Sequence, residues 1–355
     1  MAYRASTTIA VSEPARAVKT LAEHAREHNA TVNETGAGAM EIDLGANKIQ
    51  VSSSDRTFLA TVVGESQPMV YLLKEAVAEH LAEIYPGVME EMLWSDAASA
   101  SSEARYPAGF YQMRLVGRCE PMAGLIRLRL AGDTDVTPLS GPGFHVKLML
   151  PLNPAAEPVW PQVHPNGLTQ WPEGADALHV RYYTIKSVTP STSEVEIDVV
   201  RHRGGRIAEW AASAETGAVI GLLGPAGGEL PENAASVLLC ADKTAVPALA
   251  RMVACLPEGT KGHLVGEAAS VSDLKQYLPD TALEMRAVPA REFNEVLPDL
   301  AKSLSAVAPP QFAWFAGEHA TAQKMRRLFK ADLKLPKGRQ FAISYWRKGQ
   351  VKNAI

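Results

Sequence analysis

From Ser236 onward the chain alternates short apolar runs with amphipathic stretches, and this alternation constrains its fold more than any other feature. Val237-Leu238-Leu239-Cys240-Ala241 is an apolar run, and Val246, Leu249, Ala250, Val253 and Ala254 follow it at helical spacing. The segments 261–266, 282–288 and 311–316 repeat the strand signal, with helical stretches between them. Alternating strand and helix predicts a parallel sheet with helices on its faces over residues 233–355.

The rest of the chain reads differently. Residues 7–11 are β-like, and Ser12-Glu13-Pro14 opens a helix with a capping hydroxyl and an early proline. Ala15, Val18, Leu21, Ala22 and Ala25 recur at helical spacing after it. Strands are predicted at 40–44, 48–52 and 58–63, the first two joined by the Gly45-Ala46-Asn47 turn. A second helix runs from Ser66-Gln67-Pro68 to Ile84, with Val70, Leu73, Val77, Leu81 and Ile84 on one face. Helix, three strands and helix suffice for a small α+β domain over 1–95. Small polar residues from Ser95 to Ser102 mark a linker, placed at 96–105.

Residues 106–232 are rich in strand signals, at 111–119, 124–130, 144–150, 179–186 and 194–200, and predict a small antiparallel β-barrel. Within it, 153–172 holds five prolines and two tryptophans without periodicity and reads as a long surface loop, of a size often used as a lid. The glycine-rich stretch Gly221-Leu222-Leu223-Gly224-Pro225-Ala226-Gly227-Gly228 reads as a turn closing the barrel.

At 355 residues the chain fits two or three domains, and its 46% hydrophobic and 21% charged content is that of a globular protein. A formal net charge of -4 speaks against a nucleic-acid partner. No run of about 18 apolar residues suggests a membrane span, and residues 1–11 lack the apolar core of a secretory signal. Cys119, Cys240 and Cys255 show no paired spacing, which predicts reduced thiols, no metal site and a cytoplasmic location. His24 and His28 lie four apart on the first helix and read as residues of its polar face.

The chemistry concentrates at Arg181-Tyr182-Tyr183-Thr184-Ile185-Lys186. FAD needs a cation for its pyrophosphate, a flat face for its ring and a polar contact near the reacting nitrogen; Arg181, Tyr183 and Thr184 offer these. On a strand, Arg181 and Tyr183 point one way and Thr184 the other. Such a strand is ordinary by itself. It gains meaning from His202-Arg203-Gly204-Gly205-Arg206-Ile207-Ala208-Glu209-Trp210-Ala211, where glycines lead into a helix whose first N–H groups are suited to an anion.

Several tags occur in order between His145 and Gly349: His145-Val146-Lys147-Leu148, the 181–186 hexapeptide, Asp198-Val199-Val200-Arg201-His202 and Ala208-Glu209-Trp210-Ala211. Gly224-Pro225-Ala226-Gly227, Asp242-Lys243-Thr244-Ala245-Val246-Pro247-Ala248, Trp314-Phe315-Ala316-Gly317-Glu318 and Tyr345-Trp346-Arg347-Lys348-Gly349 complete the set. In this the chain resembles the siderophore-interacting proteins, or ferric-siderophore reductases. The resemblance implies a ferredoxin-reductase-like fold: a barrel holding FAD, then an α/β domain for NAD(P)H, with a reduced ferredoxin as an alternative donor. It implies cofactor contacts from Arg181, Tyr182, Tyr183, Thr184, Lys186, Val200, His202, Gly205, Ala208, Trp210 and Ala211, and from Thr244, Gly317 and Glu318 on the nicotinamide side. Two departures stand out. Lys186 replaces a common arginine and loses bidentate phosphate geometry; Lys243 replaces an acidic residue. Residues 1–95 resemble a small domain of unknown function sometimes fused to such reductases.

A ferric siderophore is a bulky anionic chelate and wants a basic pocket. Lys147, Arg203 and Arg347 are the substrate candidates, with Arg201, Arg206 and Lys348 behind them. No side chain is expected to act as general acid or nucleophile, since the flavin carries the chemistry. The basic set Lys324, Arg326, Arg327, Lys330 and Lys334 reads as a solvated helix face, with an acidic ferredoxin or an NADPH phosphate as the other reading. Another flavin or quinone reductase, and a non-enzymatic siderophore carrier, remain the competing functions.

Overall fold

A computed structural model describes residues 2–27, 30–96, 105–141, 143–228 and 234–349, with nothing said of the side chain at 27. Residues 97–104 of the predicted linker, the boundary at 232–233 and His28 lie outside the described residues. The chain forms two compact units, one of Met1–Phe110 with Pro151–Ala177 and one of Tyr111–Leu150 with Leu178–Ile355.

The first unit begins β1 (Tyr3–Ala10), α1 (Pro14–Glu27), β2 (Thr31–Gly36), β3 (Ala39–Leu44), β4 (Asn47–Ser54), β5 (Thr57–Gly64), α2 (Gln67–Ile84) and the short α3 (Val88–Glu91). The strands form one antiparallel sheet in the order β1-β5-β4-β3-β2. Five strands stand where three and a β-like start are predicted. The strand missed outright is β2, whose Thr31-Val32-Asn33-Glu34-Thr35-Gly36 is mostly exposed at the sheet edge and so lacks the apolar alternation that marks a half-buried strand. The Ser66 hydroxyl caps α2 by accepting from Met69 N at 3.3 Å, beside a proline in the first turn. Phe58, Val62, Val77, Leu81 and Trp94 are buried together between sheet and helices.

In the second unit, β6 (Phe110–Met122), β7 (Leu125–Gly132) and β8 (His145–Pro151) start a barrel. The next segment, Pro151–Ala177, holds the small hairpin β9 (Gln162–Val163) and β10 (Thr169–Gln170) and is part of the first unit. The predicted surface lid is therefore corrected: Trp160, Asn166, Leu168 and Thr169 are buried, and Leu168 joins the N-terminal core. The barrel resumes with β11 (Leu178–Thr189), β12 (Glu194–Val200), α4 (Arg206–Ser213) and β13 (Val219–Ala226), and closes as β11-β12-β7-β6-β13-β8. Here too a prediction is corrected. The stretch from Val219 to Ala226 is a strand rather than a turn, its glycines and proline notwithstanding, because β8 pairs with it through Gly221↔Met149 and Leu223↔Lys147.

The remaining elements are β14 (Ser236–Ala241), α5 (Val246–Ala254), β15 (Lys261–Glu267), α6 (Val271–Tyr277), β16 (Glu284–Val288), α7 (Ala290–Val307), β17 (Phe312–Glu318), α8 (His319–Arg327) and β18 (Gln340–Trp346). The sheet is wholly parallel, ordered β16-β15-β14-β17-β18, as the alternation predicts. Met122, Leu125 and Phe144 of the barrel side share one apolar core with Val237, Leu249 and Leu264, which welds barrel and sheet into a single unit. Among the described residues, no helix is long and apolar enough to cross a membrane.

Candidate active site

Strand alternation sorts the 181–186 hexapeptide onto two faces. Val146, Leu148 and Leu150 of β8 point into the barrel core, so His145 and Lys147 face outward. Thr184 and Tyr182 of β11 meet them there: Thr184 Oγ1 lies 3.4 Å from His145 Nδ1, and Lys147 Nζ lies 5.6 Å from the centre of the exposed Tyr182 ring. His145 also reaches β18, with Tyr345 OH 3.2 Å from its Nε2. Burial holds the His145 imidazole down at about 4, so it is neutral at physiological pH. A neutral imidazole has one donor and one acceptor nitrogen to share between Thr184 and Tyr345, and a hydrogen bond to the Tyr183 backbone works against the effect of burial.

On the other face, Tyr183 packs against the barrel core, and burial raises its phenol. Arg181 donates to Val180 O at 2.7 Å. His179 is also held at about 4, first by burial and then by the positive charges of Arg181 and Arg206. Two guanidiniums thus gather beside a neutral imidazole near the start of α4. There, Gly204 takes φ 78° and Gly205 is the N-cap. A Cβ on Gly205 would come within 1.9 Å of His202 Cε1, so the exposed His202 ring lies over the helix start in the space a side chain at 205 would take. The two cations and the glycine N-cap of α4 suit the pyrophosphate end of FAD, with the Gly204 amide already donating to Glu209 Oε1 at 3.0 Å, while Tyr183 and Thr184 suit its ring. Arg203 is exposed on the same loop.

Ala208 and Ala211 are buried in the barrel core, and Trp210 packs partly against it, so their side chains help to seat α4. Arg118 Nη1 secures the far end of the helix through Ala214 O at 2.9 Å. Lys186 is the extra residue of a β-bulge, since Ile185 pairs with Ile197 and Ser187 with the adjacent Glu196. The bulge aims Lys186 at α6, with Nζ 5.2 Å from the centre of the Tyr277 ring. Around it Arg127 clasps Asp198 through two bonds of 2.8 Å, and the Tyr277 hydroxyl donates to the same carboxylate. Val200, at the end of β12, packs against the core shared by barrel and sheet.

The C-terminal strand ends of the parallel sheet, where open α/β sheets bind ligands, hold a second cluster. Asp242 follows β14 and accepts from Thr244 N (2.9 Å), Thr244 Oγ1 (2.6 Å) and Trp346 Nε1 (2.7 Å). Burial raises its carboxyl above the usual range. A Cβ on Gly317, at φ 155°, would fall 2.4 Å from Asp242 Oδ2, so this close approach requires glycine. Glu318 caps α8 by accepting from Ala320 N at 2.6 Å and Thr321 N at 3.1 Å. Lys243 Nζ donates to Ala123 O of the β6–β7 turn at 3.2 Å. Arg347 lies 2.7 Å from His319 Nε2, just beyond Tyr345 and its contact with His145.

Lys147, Thr184 and the start of Arg347's tag are thus brought together through His145, whereas Lys186 stands apart. Sequence reasoning gives His145 no role beyond heading its tag and passes over His179; each sits two residues from a chosen one, on the face that alternation assigns. Two family models match the chain, one described as the siderophore-interacting FAD-binding domain over residues 118–229 and one as siderophore-interacting protein over 234–349. Ferric vibriobactin reductase ViuB of Vibrio cholerae is 27% identical over 238 residues, 65% of this chain and 86% of that protein. The NADPH-dependent ferric-chelate reductase of Escherichia coli is 30% identical over 237 residues, 63% of this chain and 87% of that one. A solved siderophore utilization protein from T. fusca aligns over 71% of this chain and 97% of its own, with 30% identity and a TM-score of 0.57.

Proposed function

The chain belongs to the siderophore-interacting protein family, and from that premise we propose that it reduces ferric siderophores, with FAD bound at the barrel and NAD(P)H as the electron source. The observation that carries this reading is the pairing of two halves of one site. Arg181 and Arg206 beside the start of α4 suit a pyrophosphate, and Thr184 held by His145 suits the ring. When bound, FAD supplies the conversion between a two-electron donor and a one-electron acceptor.

The residues divide the remaining work. Arg181 and the amides around Gly205 hold phosphate, with His202 and Val200 bordering them. Tyr183 presents a neutral aromatic face. Thr184 offers its hydroxyl in an orientation fixed by His145, which Tyr345 fixes in turn. Tyr182 supports Lys147, and Lys147, Arg203 and Arg347 attract the anionic chelate. Thr244, Gly317 and Glu318 border the nicotinamide. Reduction of Fe(III) to Fe(II) loosens the hold of hard oxygen donors, so no acid or nucleophile is needed. In this reading the barrel strands on either side of the Pro151–Ala177 segment and the parallel-sheet region form the working part, and residues 1–95 take no direct part in electron transfer. A cytoplasmic location agrees with three free cysteines. A reduced ferredoxin is the alternative donor, supported by the exposed Lys324, Arg326 and Arg327 of α8.

The test is anaerobic: the purified chain should be yellow, bleach with NADPH or NADH, and yield ferrous iron to a chelator from a ferric siderophore. Lys147→Ala and Arg347→Ala should each lower the rate with iron chelates more than with a quinone. A yellow protein that bleaches yet releases no ferrous iron would point to a different flavin reductase. A colourless one that binds siderophore would point to a carrier.

A further inference from the structure

The Pro151–Ala177 segment is fixed at its ends to one region and in its middle to another. Its ends are peptide-bonded to β8 and β11, the strands that carry His145, Lys147, Arg181, Tyr183 and Thr184. Its middle is built into the N-terminal unit. Leu168 is 1% exposed and packs in the same cluster as Phe58, Val77 and Leu81. Thr169 is gripped twice by α2: its N–H donates to Glu75 Oε1 at 2.7 Å, and its hydroxyl shares a hydrogen bond with that of Tyr71. Asn166 Nδ2 donates to Met89 O at 2.7 Å, while Asn166 Oδ1 accepts from Leu168 N at 3.0 Å. A backbone bond from Leu152 N to Ala177 O, 2.9 Å, closes the neck.

These are interior contacts rather than those of a loop lying on a surface. Glu75 and Lys74 are both buried on α2; Lys74 pairs with Asp96 at 2.9 Å, and Glu75 takes the Thr169 amide. Buried charge is tolerated only where partners satisfy it, so this face of α2 is made for an occupant, and the occupant is the segment between the two site strands.

We propose that the N-terminal domain is a clamp on this segment and thereby sets how tightly the chain retains its flavin, an inference that rests on the FAD reading above. Arg181 lies four residues beyond Ala177 and Lys147 four before Pro151. Holding the connecting segment reduces the freedom of both strand ends before the ligand arrives, which is preorganisation. Thr169, Glu75 and Leu168 are positioning residues for the cofactor, acting through the chain and not by touching it.

The experiment uses the full chain with Glu75→Ala/Thr169→Val, and separately with Leu168→Asp. Two quantities are read: FAD dissociation constant by flavin fluorescence, and chymotryptic cleavage in the insertion. In the Glu75→Ala/Thr169→Val chain the expected cut follows Leu168, because both tryptophans of the insertion precede proline. In the Leu168→Asp chain it is the Leu152–Asn153 bond at the neck. The clamp predicts faster cleavage together with FAD binding weaker by about tenfold or more, and an unchanged kcat once FAD is saturating. Cleavage that quickens while FAD affinity stays put overturns it, and so does a segment that remains protected. Should Leu168→Asp fail to fold by circular dichroism, the milder double variant decides. An unmutated chain that binds no FAD removes the functional reading itself. One that binds FAD alongside unaltered variants removes only the clamp.

Discussion

Asp198 and Asp242 are both sealed inside the second unit, and they are held in opposite ways. Asp198, on barrel strand β12, is clasped by the Arg127 guanidinium and takes a further bond from Tyr277. Asp242, at the end of the first strand of the parallel sheet, has neutral donors: the backbone amides of Thr244 and Glu318, a hydroxyl and an indole. The first is a committed ion pair, whose partner's protonated form is stabilised first by that hydrogen bond. The second carries an unneutralised burden of desolvation, which lifts its carboxyl. A buried charge that is not neutralised by its own protein is a mark of function more than of stability, and Asp242 stands where open α/β sheets receive their ligands.

Breaking the pair should cost most. Arg127→Leu leaves Asp198 buried without its cation and is expected to lower unfolding free energy by about 3–5 kcal/mol, measured by urea denaturation. The double change Arg127→Leu/Asp198→Leu should recover most of that loss; if it does not, the pair contributes more than mutual neutralisation.

A buried base sharpens the contrast through pH. His145 has its folded value near 4 against 6.5 unfolded. The unfolded chain therefore takes up the proton first, and the stability from this group is whole above about pH 6.5 and lost as pH falls toward 4. The loss amounts to about 3 kcal/mol over that window, and His145→Gln should flatten it in a series of unfolding curves. Asp242 has the opposite sign: its folded value is raised above 3.8, so its contribution is full below that pH and fades as pH rises through the folded value. Trp346→Phe removes one of its donors, should cost about 1–3 kcal/mol near neutrality, and should push the carboxyl higher still. A variant whose stability has the pH dependence of the parent would show that the indole bond does not bear on the charge.

The smallest effect concerns Lys186. If the bulge commits it to the Tyr277 ring, Lys186→Ala should cost about 0.5–1 kcal/mol of stability while FAD affinity barely moves. Lys186→Arg should then leave FAD affinity unchanged. A clear gain in affinity with arginine would return Lys186 to the cofactor site.

Legibility in the sequence follows how local each feature is. The parallel sheet is legible because each strand and helix announces itself within a dozen residues. The two faces of β11 are legible because strand alternation is a local rule, and it places Thr184 opposite Tyr183 as found. The bulge at Lys186 is not, because it is a mismatch in length between β11 and β12 that neither strand displays alone. Gly221 to Gly228 reads as a turn because its composition is that of one, while the pairing with β8 that makes most of it a strand lies more than seventy residues upstream. The 153–172 stretch lacks periodicity for a similar reason. Its partners on α2 are some ninety residues away, and individual bonds, rather than a repeating pattern, select its residues. Grouping His145 with the site needs Tyr345, 200 residues later, which only folding brings near.

The position of Leu168 in the N-terminal core has a consequence for the order of synthesis. A nascent chain that has emerged as far as Ser95 holds every strand of the first sheet but not the residue that completes its interior. At roughly 5–20 residues per second, the ribosome takes several seconds to deliver the intervening stretch, which itself includes the first barrel strands. The two units are thus made interleaved, and the earlier one waits, part of its apolar surface uncovered, on a segment translated in the middle of the later one.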